Sequence, residues 1–225
     1  MMEPSSSTSP ASTYKPLSEL CILSCGNLGM SWLMNKGRNL AFHNYKSEPA
    51  LYSLEVGNHS GNNSLILRSG DSKKGATISQ ATETTTAGAY TIAGPKGEEK
   101  IEKNGKDTYL WTVPSSLCPP KLPPYEQESP DKKSTFQWTK APRVEGKATS
   151  FANPDWKLSD KSSGEVHAVF VENWDGTTER GRVQFRRSFG EQWEMSLLVS
   201  VGIIAERERA RRDRRGGFTK GFLLW

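Results

Sequence analysis

The chain has 225 residues, 34% of them hydrophobic and including seven Trp, eight Phe and six Tyr, which is enough large apolar material to build one core and excludes a wholly disordered chain. The net charge of +5 is concentrated, because Glu206 to Arg215 holds six Arg against Glu206, Glu208 and Asp213; a short interrupted patch suits an anionic surface and argues against tracking of a nucleic-acid backbone. Three cysteines, Cys21, Cys25 and Cys118, with no C-x-x-C pair speak against a disulfide framework or zinc site and favour a reducing, cytoplasmic setting.

Residues 1–16, MMEPSSSTSPASTYKP, have no basic region leading into an apolar one and read as a disordered tail, not a signal peptide. From 17 to 56, short apolar groups (LCILS, MSWLM, NLAFHNY, ALYSLEV) are cut by Gly, Asn and Pro. Tyr52, Leu54 and Val56 alternate with Ser53 and Glu55, the period of a half-buried strand. GNHSGNN then turns into SLILRSGD; Asn58 and Asn62 match glycosylation sequons, which count as chance matches without a secretion signal.

TISQATETTT, AYTIAG and DTYLWTV continue the series of strands, and Asn104-Gly105 predicts a tight type I′ hairpin. Residues 114–134 contain six of the thirteen prolines and no apolar period, so they form a loop inside the domain rather than a strand. Strands resume at TFQWT, DWKLSD, EVHAVFVENW and RGRVQFRRSF, where Val183 and Phe185 point opposite to Arg182, Gln184 and Arg186.

EMSLLVSVGIIAERERARRDRR, Glu194 to Arg215, joins an apolar run to the arginine block. Leu197 to Ala205 is apolar on every side of a helix, so it is buried in protein or in lipid. Its length of about 14 Å falls short of the roughly 30 Å hydrocarbon core, which excludes a transmembrane span. The width of the apolar surface excludes a coiled-coil seam. Burial within its own domain remains, over about Trp193 to Arg212, with Gly202 and Ala205 allowing strands to approach and the arginines emerging at the helix end, where cations suit the macrodipole.

The order TFQWT, DWKLSD, SSGEVHAVF, GRVQF, WEMSLLVSVGIIAERERARR resembles the tubby C-terminal-like superfamily, which includes phospholipid scramblase and LURP-one-related proteins, and in particular its fungal branch. The resemblance covers 134–213 best. It implies a mainly β fold, a closed antiparallel barrel of about twelve strands around a central hydrophobic C-terminal helix. The expected domain is then 17–215, followed by an extension, 216–225.

For function, the chain carries no G-x-S-x-G elbow, Walker loop, G-x-G-x-x-G or H-E-x-x-H, and His43, His59 and His167 are far apart. No catalytic residue, metal or cofactor is expected. The leading expectation is a non-enzymatic protein that recognises an anionic phospholipid or membrane surface through Arg186, Arg187, Arg207, Arg211, Arg212, Arg214 and Arg215, which supply charge-assisted donors for headgroup phosphates. In the resembled family a basic pocket of tubby binds phosphoinositides. The alternative is an adaptor: Pro119, Pro120, Leu122, Pro123, Pro124 and Tyr125 form a proline-rich segment whose L-P-x-Y ending suits a WW domain, with Lys121 offering a contact to an SH3 domain. The expected setting is cytoplasmic or peripheral to a membrane.

Overall fold

The computed structural model describes residues 18–25, 39–59, 62–71, 74–86, 88–94, 96–118, 133–142, 150–151, 154–173 and 178–220. Among these are twelve strands, β1 (Glu19–Cys25), β2 (Asn39–His43), β3 (Tyr52–His59), β4 (Asn62–Ser69), β5 (Thr77–Glu83), β6 (Tyr90–Gly94), β7 (Gly97–Lys103), β8 (Thr108–Pro114), β9 (Lys133–Lys140), β10 (Trp156–Asp160), β11 (Val166–Glu172) and β12 (Glu179–Phe185), and one long helix, α1 (Glu191–Lys220). Each strand runs antiparallel beside its sequence neighbours, and β1 pairs with β12 to close the barrel. The fold class expected from the sequence is the one observed.

Alternation along the strands sets the inside of this barrel. Leu54 and Val56 of β3, Tyr109, Trp111 and Val113 of β8, Phe136 and Trp138 of β9, and Val183 and Phe185 of β12 are buried at every second position. Two turns differ from expectation. The strands flanking GNHSGNN extend to His59 and from Asn62, so less of that stretch is turn. The β7–β8 turn is wider than a two-residue type I′ loop: the Asn104 N–H donates to the Thr108 carbonyl over 2.8 Å, and Gly105 takes a φ of +89°, so Lys106 and Asp107 belong to the turn as well. β7 itself, GEEKIEK, has Glu99 at an inward position where the sequence pattern suggests solvent.

Inside the barrel, α1 is buried without a break from Trp193 to Glu206. No polar face exists on these turns because strands surround them. Gly202 is required by closeness: a Cβ there would lie 2.1 Å from the Leu54 Cδ2 of β3 and 3.4 Å from the Leu65 Cδ2 of β4. Two helix serines, one turn apart, meet polar groups on β7 and β9, which flank β8 in the wall. Ser196 donates to Glu99 Oε1 at 2.6 Å, and Ser200 accepts from the Trp138 indole at 3.0 Å while donating to the Leu197 carbonyl at 2.7 Å. These bonds fix both rotation and height of the helix, since an unmatched polar atom in this core would cost roughly 1–3 kcal/mol.

The helix is longer than the expected Trp193–Arg212. It begins after a short turn in which the Gly190 N–H donates to Ser188 Oγ at 3.0 Å, and Gly216-Gly217 does not end it before Lys220. Thirty residues span about 45 Å at 1.5 Å per residue, while strands of five to eight residues reach at most about 26 Å before tilt. The helix therefore outruns its barrel. Past the last buried turns, Asp213 and Arg214 are exposed.

Candidate functional site

The barrel has a near end, where β12 leads into α1, and a far end, where α1 leaves. Strand direction assigns the loops. The β5–β6 and β7–β8 turns and the ends of β9 and β11 lie at the far end; Arg186, Arg187 and the two flanks of the proline-rich segment, Cys118 and Lys133, lie at the near end. The arginines grouped by sequence are thus split between two faces.

At the near end, Arg186 is exposed, and its Nη2 donates to the Phe151 carbonyl at 3.0 Å. Arg187 forms an ion pair with Glu165. Beneath them His167 is fully buried, stacked on Phe189 at 5.1 Å and beside Phe136 and Trp193, so it serves as part of an aromatic cluster in the core. Pro119, Pro120, Leu122, Pro123, Pro124 and Tyr125 lie outside the described residues.

At the far end, Arg207, Arg211 and Arg212 of the helix are engaged by carboxylates of the barrel rim. Arg207 pairs with Glu83 and lies 5.1 Å over the Tyr90 ring. Burial alone would raise the Glu83 carboxyl, but a hydrogen bond from Asn63 and the charge of Arg207 bring it below its ordinary range. Arg211 donates to Asp107 at 2.9 Å and to Glu208 at 3.4 Å. Its hydrogen bond, with the nearby charges, also lowers the Asp107 carboxyl.

Arg212 donates to Glu172 at 2.9 Å, and the same carboxylate accepts the Trp156 indole at 2.9 Å. Lys140 of β9 pairs with Glu208 and sits 5.3 Å over the Trp156 ring. Arg209 reaches Glu206 with both fork nitrogens, at 2.9 and 2.8 Å, and Asp213 at 2.6 Å, which braces the helix where it leaves the wall. Together these pairs form a collar that fastens α1 to β5, the β7–β8 turn, β9 and β11.

Arg214 stands outside the collar. It is exposed, its Nε donates to the Ala210 carbonyl of its own helix at 3.3 Å, and no carboxylate among the described residues pairs with it. Arg215 follows in the same helix, its side chain outside the described residues. Sequence reading placed all these cations in one class. Their separation into fasteners and outward charges depends on acids up to 124 positions away, as with Glu83 and Arg207, and no local pattern announces such pairs.

Among the described residues no helix is long and apolar enough to cross a membrane. No family model, curated protein or solved structure matches the chain.

Proposed function

We propose that this protein is a non-enzymatic binding module that recognises an anionic phospholipid surface through the end of α1 projecting from the far end of its barrel. The observation that carries this reading is the division within the arginine block: Arg207, Arg209, Arg211 and Arg212 are neutralised by nearby acids, whereas Arg214 lies beyond the rim without one among the described residues. Exposed arginine retains its charge and its planar fork for phosphate oxygens.

The sequence from Arg214 onward adds to this. Arg214, Arg215 and Lys220 are followed or interleaved by Phe218, Phe222, Leu223, Leu224 and Trp225, a combination of cations with aromatic and aliphatic groups that suits the headgroup boundary of a bilayer. The closed barrel around a C-terminal helix also supports the resemblance to the tubby-like superfamily, although architecture alone does not carry a ligand.

Co-sedimentation with phosphatidylcholine vesicles, with and without phosphatidylserine or a phosphoinositide, tests the proposal. Binding is expected only with anionic lipid, weakening as salt rises. The Arg214→Glu, Arg215→Glu variant should lose it while keeping a normal melting transition. Binding unchanged by that variant would defeat the reading.

A further inference from the structure

Resting on the reading just proposed, we infer that the β7–β8 turn is a second contact of the same surface, so that Lys103 and Lys106 meet an anionic bilayer together with Arg214. Three observations place these groups on one face. First, Arg211 holds Asp107 at 2.9 Å, so the turn is fixed to the helix. Second, Arg207, Arg211 and Arg214 follow one another at spacings of four and three residues, which stack on one side of a helix; the side that faces the turn therefore carries Arg214 one turn further out. Third, Lys103 and Arg207 both flank Gly88, where a Cβ would lie 3.4 Å from Lys103 Cβ and 4.0 Å from Arg207 Nη2.

Charge depth favours a membrane as the occupant. The acids Glu83, Glu172, Glu206 and Glu208 are recessed in the rim, and the more exposed Asp107 and Asp213 are offset by Arg211 and Arg209, while Lys103, Lys106 and Arg214 are exposed, and no carboxylate among the described residues pairs with them. A charged plane approaching along the barrel axis meets a net positive charge, within a Debye length of about 8–10 Å. The barrel then stands on the bilayer with its far end down, and the near end, with the flanks of the proline-rich segment, points away.

The test compares partition of the full chain and two variants onto phosphatidylcholine vesicles containing phosphatidylserine. Lys103→Glu, Lys106→Glu should lower the partition coefficient about tenfold or more, on the order expected for reversing two cations at a charged surface. Lys133→Glu, Lys161→Glu, both exposed at the near end, should leave it unchanged. All these side chains are exposed, and a thermal melt checks that each variant folds. A turn variant that binds like the unmodified chain, while Arg214→Glu, Arg215→Glu does not, overturns the second contact and leaves the helix-tip reading standing. Equal losses in the turn and near-end variants overturn the orientation. Failure of the unmodified chain to bind anionic vesicles ends both.

Discussion

Glu99 shows at the scale of one residue how a polar group is accommodated in this core. Its carboxyl is 1% exposed, accepts from the Trp111 indole at 2.9 Å and from Ser196 at 2.6 Å, and is pushed up to about 7 by burial, which these two bonds offset only in part. Because the folded value lies above the ordinary 4.5, the native state keeps a proton that the unfolded chain releases. The associated stability is complete below about pH 4.5 and is lost as pH rises through 7, by roughly 3 kcal/mol at most for a shift of this size. Glu99→Gln reproduces the protonated group. Its melting temperature should equal that of the unmodified protein near pH 5 and exceed it by several degrees at pH 8; an unchanged difference across that range would contradict a buried, titrating Glu99. Sequence reading missed this residue because GEEKIEK offers a single apolar side chain, Ile101, and an inward carboxylate is indistinguishable there from an outward one. The signal that remained was the pair Ser196 and Ser200, four residues apart in an otherwise apolar run, which marks places where the wall must answer with polar atoms.

At the scale of the element, α1 was the most legible part of the chain. Continuous apolarity from Leu197 to Ala205 identified burial on every face, and the shortness of that run against a bilayer made the surroundings protein. Strands with clean alternation, such as TYLWTV and TFQWT, were equally plain. The helix end was not, because its limits are set by ion pairs to distant strands and by the brace from Arg209 to Glu206 and Asp213. The two roles within the arginine block can be separated by stability. Arg212→Ala takes a cation away from Glu172, whose side chain is 2% exposed, and should cost about 2 kcal/mol in urea unfolding, less than a fully buried pair because Arg212 itself is partly in water. Arg214→Ala should change stability by less than about 0.5 kcal/mol, as an outward surface residue does. Equal costs would mean that the collar does not exist as described.

At the scale of the molecule, closure of the sheet explains why the helix is held so firmly. Closing β1 on β12 removes every free strand edge, and the space this encloses is filled by one helix that approaches β3 and β4 closely at Gly202 and bonds to β7 at Ser196 and to β9 at Ser200. A helix longer than its barrel then has a buried shaft and an outer tip, and the proposed lipid contact lies at the tip. Strands and a buried helix were legible from alternation, turn spacing and apolarity, whereas strand count and closure came from the resemblance alone. Which arginines face solvent was not, because it depends on the three-dimensional pairing of strands. The most direct measurement is native-state amide hydrogen exchange with and without vesicles containing phosphatidylserine. Without vesicles, residues 193–208 should exchange only through global unfolding and 213–220 rapidly; with them, protection should appear at 213–220 and at the 104–107 turn and nowhere else. Slow exchange of 213–220 in free protein, or vesicle-induced change confined to the near end, would contradict the account.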